Sequence, residues 1–168
     1  QPNRFENRIV HGLRRRSGIY MFPPGFRTAR RLMQLLGSGA ANLVLLVDEP
    51  SEGDVRFPLF GRRLHPRCNL RIAMGLARRT GALILPGYVL RTRRAHFRGG
   101  WLPALDIADF APGEAGEQAL AAELSRHYEK LVVEHVTQWY MLDRLKFREA
   151  GAEAPAGAPE AEAGSGPV

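Results

Sequence analysis

The chain is poor in several things that would otherwise define it. One cysteine, Cys68, stands among 168 residues, which rules out an internal disulfide and suits a reducing cytosol. With no histidine motif beside it, that thiol reads as a packed side chain rather than a nucleophile. The longest unbroken apolar run is Leu43 to Val47, far short of the roughly 20 residues a membrane-spanning helix requires. Residues 1–20 show no basic start, apolar centre and small-residue cleavage site, so no export signal is expected. Zinc-ligand spacings, glycine-rich phosphate loops and internal repeats are likewise missing, and no metal or cofactor is expected. No histidine stands five positions ahead of an acid: after His11, His65, His96, His127 and His135 come Arg16, Leu70, Trp101, Val132 and Tyr140.

Basic charge is abundant. Net charge is +7, and of 24 basic residues only Lys130 and Lys146 are lysine. Residues 1–98 hold 19 arginines against 5 acids, whereas 149–168 carry four glutamates and no base. A planar guanidinium grips phosphate with two parallel hydrogen bonds, which an ammonium cannot do. The body therefore suits phosphate-bearing partners: lipid headgroups, a glycolipid, a phosphopantetheine carrier or nucleic acid. Its alanine, glycine, proline and arginine content also fits a GC-rich genome. At 45% hydrophobic and 24% charged residues, the composition is that of one globular domain able to bury a core.

Periodicity predicts the elements. Phe5, Ile9 and Leu13 stripe a helix over 3–16 with one buried face. Residues 19–22 read as a short strand, and Pro23-Pro24-Gly25 breaks the chain before a helix over 26–36 burying Ala29, Leu32, Met33 and Leu36. The runs 42–47 and 83–90 read as strands covered on both faces. A helix over 69–79 lies between them, with Leu70, Ala73, Leu76 and Ala77 inward. Strand, helix, strand implies a right-handed crossover, hence an α/β fold with a mainly parallel sheet flanked by helices. A short extended piece is expected over 55–60 and one or two strands over 95–107. The longest helix is expected over 117–142, and 149–168 reads as a disordered acidic tail.

Four stretches make the chain resemble the bacterial lysophospholipid acyltransferase-like family, in its lipid A biosynthesis (lauroyl and myristoyl) branch. They are Leu13-Arg14-Arg15-Arg16-Ser17-Gly18; Leu45-Leu46-Val47-Asp48; Phe57-Pro58-Leu59-Phe60-Gly61 with Leu76-Ala77-Arg78-Arg79-Thr80-Gly81-Ala82 and Pro86; and Gln138-Trp139 ahead of a basic end. The resemblance covers residues 3–148 and implies that 1–148 is the C-terminal portion of an acyltransferase-like domain. In that family a histidine of an H-x4-D/E motif deprotonates an acceptor hydroxyl, which attacks the thioester of an acyl carrier protein or coenzyme A. That motif lies upstream of everything matched, so the resemblance implies a truncated or degenerate chain, inactive alone.

The resemblance further implies that Arg14, with Arg16, binds substrate phosphate and that Asp48 is a supporting acid. Phe57 and Phe60 pack their loop or line an acyl groove. Relatives carry a second aspartate where Pro50 stands. They also read P-E-Q-W-x-W-x-H-R-R-W-K where this chain runs from Val136 to Phe147, with Trp139 and Arg144 in register. Trp139, Arg144 and Lys146 are membrane-surface candidates, packing of Trp139 in the core being the alternative. The expected acceptor is a lipid A precursor or related glycolipid, on the cytoplasmic face of a bacterial inner membrane. The other readings are a non-catalytic partner of a lipid enzyme, and a basic nucleic-acid module in which Phe97 and Trp101 stack bases.

Overall fold

In the computed structural model, residues 3–22 and 26–146 are described; Pro23–Gly25 and the acidic tail lie outside them. Helix α1 (Arg4–Arg16) opens on Asn3, whose side-chain oxygen accepts the Phe5 N–H at 2.9 Å, satisfying one orphan donor of the first turn. Its apolar stripe is not buried: Phe5, Ile9 and Leu13 are 67, 63 and 58% exposed. The 3.6-residue period makes the helix amphipathic, but the expected cover does not form over it. Residues 19–22 are exposed and form no strand.

Helix α2 (Phe26–Gly37) packs against α3 (Asn69–Thr80). In α2, Leu32, Met33 and Leu36 are half-buried and Ala29 is exposed. In α3, Leu70, Met74, Leu76 and Ala77 are buried, with Met74 taking the place expected for Ala73, which is only half-buried. Gly81 ends α3 in the left-handed region at φ 69, its N–H bonded to the Ala77 carbonyl at 2.8 Å. The glycine of the LARRTGA block is therefore a helix stop, a position where a side chain would be strained.

The sheets correct the expected architecture. Strands β1 (Pro50–Ser51) and β2 (Asp54–Val55) pair antiparallel, as do β3 (Gly87–Arg93) and β4 (His96–Trp101). An Ile84–Leu105 bridge prolongs the second hairpin. Among the described residues no parallel pair exists, so the α/β fold with a mainly parallel sheet is replaced by helices carrying two small hairpins. The predicted crossover fails because the partner of 87–93 is the segment directly after it, joined by a two-residue turn, a far shorter closure than a crossover needs.

Residues 42–47 form no ladder. They alternate instead, with Leu43, Leu45 and Val47 half-buried and Val44 and Leu46 82 and 61% exposed. The run is apolar on both faces but covered on one. Asn69 fastens its end, donating to the Leu46 carbonyl at 2.7 Å.

Helix α4 (Glu114–Glu134) begins with Glu114 and Glu117 in its first turn, where carboxylates suit the helix dipole. It stops at His135, short of the expected 142, and a 3-10 turn over Val136–Gln138 follows. Leu120, Ala121 and Leu124 join Val55, Phe57, Leu59, Leu70, Met74 and Ile107 in one core. Arg71 of α3 pairs with Glu117 at 2.5 Å, tying the two helices across that core.

Leu120 is fully buried and Val44 is 82% exposed. Leu120→Ala is expected to lower unfolding free energy by about 2–5 kcal/mol in urea titration, whereas Val44→Thr changes it by about 0.5 kcal/mol or less.

Candidate functional site

Residues far apart in the chain meet at Asp48. This aspartate follows the apolar run 42–47, whose inward side chains fix its position, and it is half-buried. Trp139, 91 positions later, donates its indole N–H to Asp48 Oδ2 at 3.1 Å. The early end of α4 makes this possible: only an unwound chain carries Trp139 back to the core edge. Its neighbour Gln138 accepts the Arg91 backbone N–H at 2.8 Å, fastening the Gln-Trp pair to β3.

Tyr128 closes the cluster from α4. Its hydroxyl donates to the Gly87 carbonyl at 3.1 Å, and its ring meets Phe57 edge to face, centroids 5.5 Å apart. Burial pushes the Tyr128 phenol above its ordinary value, and the charge of Asp48 adds to the shift. The half-buried carboxylate thus accepts from an indole and acts on the charge of a half-buried phenol that is itself bonded to the start of β3.

The FPLFG loop is built onto α4. Phe57 and Leu59 are 1 and 2% exposed. Ser125 donates its hydroxyl to the Pro58 carbonyl, Glu129 accepts the Phe60 N–H at 2.5 Å, and Gln118 accepts the Leu64 N–H at 3.0 Å. Phe60 and Gly61 both adopt left-handed φ, 57 and 74. Phe57 is therefore a packing residue. Phe60 borders an open depression of about 620 Å³ whose other walls come from Arg126, Glu129, Lys130, Val133 and Glu134.

The remaining predicted residues lie elsewhere. Arg14 and Arg16 are exposed in the last turn of α1. Arg14 contacts Met21 Sδ at 3.3 Å, and no hydrogen bond or ion pair among the described residues joins either arginine to Asp48. Arg144 pairs with Asp143 at 3.1 Å. The Lys146 backbone N–H donates to Asp54 at 3.1 Å, while Met141 and Leu145 enter the core. Cys68 is buried, and burial pushes its thiol up, away from nucleophilic use at neutral pH. Among the described residues no group of three or more acids, histidines or cysteines is placed to hold a metal.

The Asp48–Trp139 bond was invisible in the sequence, since nothing local links an aspartate at the end of an apolar run to a tryptophan 91 positions on. Each residue was legible separately. The stitches from Ser125, Glu129 and Gln118 carried no signal beyond polar residues lying near the apolar stripe of α4.

Trp139→Phe is expected to cost about 1.5–3 kcal/mol in urea unfolding, the contribution of a hydrogen bond to a charged group. Asp48→Asn, which keeps an acceptor oxygen, should cost less than Asp48→Ala. Tyr128 makes a separate pH prediction. Below its ordinary value of 10.0 both folded and unfolded chains keep the phenolic proton, and its contribution is intact. Above that value the unfolded chain ionises first, so stability falls as pH rises through the elevated folded value. Tyr128→Phe should remove that part of the alkaline slope in unfolding measured from pH 9 to 11, units about one either side of the ordinary value.

With the geometry in place, comparison with known proteins is informative in one respect. No curated protein and no solved structure matches the chain. The family model described as bacterial lipid A biosynthesis acyltransferase matches residues 1–148, a span that includes Arg14, Asp48, Phe57 and the Gln138-Trp139 pair. The chain belongs to the bacterial lipid A biosynthesis acyltransferase family.

Proposed function

We propose that this chain supplies the substrate-handling part of an enzyme that moves a fatty acyl group from an acyl-carrier-protein or coenzyme A thioester to a hydroxyl of a lipid A precursor or related glycolipid. The observation that carries the reading is the meeting of the family's separate blocks at Asp48. Val47-Asp48, Phe57, the strand after the LARRTGA helix and Gln138-Trp139 share one rigid cluster.

Acyl transfer needs a base to take the hydroxyl proton. The alkoxide oxygen then adds to the thioester carbonyl, the C–S bond breaks, and the thiolate leaves to collect a proton. The 168 residues hold no H-x4-D/E pair, and on this reading the base is supplied from outside them. Asp48 acts as a supporting acid that orients a neighbouring polar group. Arg14 and Arg16, exposed at the basic end of α1, take the phosphate of the acceptor. The site of action is the cytoplasmic face of a bacterial inner membrane, met peripherally. No helix among the described residues is long and apolar enough to cross a membrane.

The missing base also supports a second reading, a non-catalytic relative that steadies a lipid enzyme. Incubation of the purified chain with labelled acyl carrier protein and a phosphorylated glycolipid separates them. No turnover is expected, but the glycolipid should bind, about tenfold or more weakly once Arg14→Gln and Arg16→Gln are combined. Robust transfer would mean that the base lies within these residues. Absence of glycolipid binding would favour the non-catalytic reading.

A further inference from the structure

The β3–β4 hairpin presents a one-sided surface. Cross-strand pairing sets Val89 opposite Gly99, Arg91 opposite Phe97 and Gly87 opposite Trp101, so Val89, Arg91, Phe97 and Trp101 share one face. That face is turned outward: Val89, Phe97 and Trp101 are 69, 58 and 73% exposed. The other face carries Tyr88 and Leu90, both half-buried. Large apolar side chains are thus held in water on the side away from the core.

Two details fix their posture. The Trp101 ring lies over Gly87, where a Cβ would come within 2.6 Å of it, and the Tyr88 ring lies over Gly100 on the opposite face. Bare glycines let each aromatic lie flat across the partner strand. The Arg91 guanidinium stands 5.5 Å from the centroid of Phe97, a cation over an aromatic face. Residues 87–101 contain Arg91, Arg93, Arg94 and Arg98 and no acid. None of the four enters an ion pair among the described residues. At the tip Arg94 has φ 50, a left-handed conformation that favours glycine, so a charged side chain occupies a strained position.

We propose that this face of the hairpin docks on an anionic phospholipid bilayer, with Trp101, Phe97 and Val89 in the headgroup zone and the arginines on lipid phosphates. Aromatic rings with an apolar body prefer that zone, and arginine stems lie along apolar surface while their heads reach phosphate. Each basic residue near such a surface adds about 1 kcal/mol, or roughly fivefold in partitioning. The assignment builds on the lipid-acceptor reading and relocates its membrane contact. Trp139 directs its indole N–H to Asp48, which leaves Trp101 as the tryptophan facing outward.

The test uses the full chain and phosphatidylglycerol vesicles carrying brominated acyl chains, with phosphatidylcholine vesicles as control. Tryptophan emission should be quenched in the wild type on anionic vesicles. In Trp101→Phe, which keeps a ring over Gly87 and leaves Trp139 as reporter, quenching should vanish while co-sedimentation persists. Combining Arg91→Gln, Arg93→Gln and Arg94→Gln should weaken partitioning on the order of 100-fold, with circular dichroism unchanged.

Quenching that survives in Trp101→Phe overturns the assignment, as does partitioning indifferent to the three arginines. So does retention on single-stranded DNA at about 0.15 M salt without vesicle binding, which would mark a nucleic-acid surface. Because no acyl donor is present, failure here leaves the acyl-transfer reading standing. Failure of the glycolipid assay leaves vesicle docking by the hairpin untouched.

Discussion

The docking of residues 57–64 onto α4 organises the rest of the molecule. Phe57 and Leu59 bring apolar bulk into the core, while Pro58, Phe60 and Leu64 turn their backbone polar groups to Ser125, Glu129 and Gln118. A loop that enters a core must satisfy its own backbone, because an unpaired buried N–H or carbonyl costs about 1–3 kcal/mol. Helix α4 provides those partners from a polar stripe beside the one that buries Leu120 and Leu124. With Phe57 fixed against Tyr128, the tyrosine hydroxyl reaches Gly87, and β3 is set beside the Asp48–Trp139 pair. One packing event thereby positions the candidate site and the root of the hairpin.

The molecule is also asymmetric in what it covers. Its core side is closed by α3, α4 and the 57–64 loop. Ile9 and Leu13 of α1, Val44 and Leu46 of the unpaired run, and the outward hairpin face all remain in solvent. Each of these is an exposed apolar stretch among the described residues. Arginine is spread along the chain, with a run at Arg14–Arg16 and four over 91–98, while α4 carries most of the acids among the helices.

How much was legible beforehand follows from the range of the interactions concerned. Helices α2 and α3 and an extended segment beginning soon after α3 follow from spacing, which acts within a turn or two. The parallel sheet did not form. The runs 42–47 and 83–90 were apolar enough for a two-sided strand, yet apolarity states only that a residue prefers burial, not that a neighbour exists to bury it. Leu83 and Leu85 are 61 and 53% exposed while Ile84 packs inward, a one-sided strand written in two-sided residues. The α4 stripe likewise continues in the sequence to Trp139, but Gln138, accepting from the Arg91 N–H of β3, and Trp139, donating to Asp48, hold the chain off the helical path.

The sequence by itself determined the family, the arginine-dominated charge and the lack of an H-x4-D/E pair, and it singled out Asp48, Phe57 and Trp139 as candidates, because each is a property of residue type or local spacing. Tertiary structure alone decided that Asp48 and Trp139 are bonded, that Arg14 and Arg16 stand apart from them, and that the hairpin faces Trp101 and Phe97 outward. Those are contacts between residues distant along the chain, and they depend on which surfaces found cover when the loop at 57–64 closed on α4.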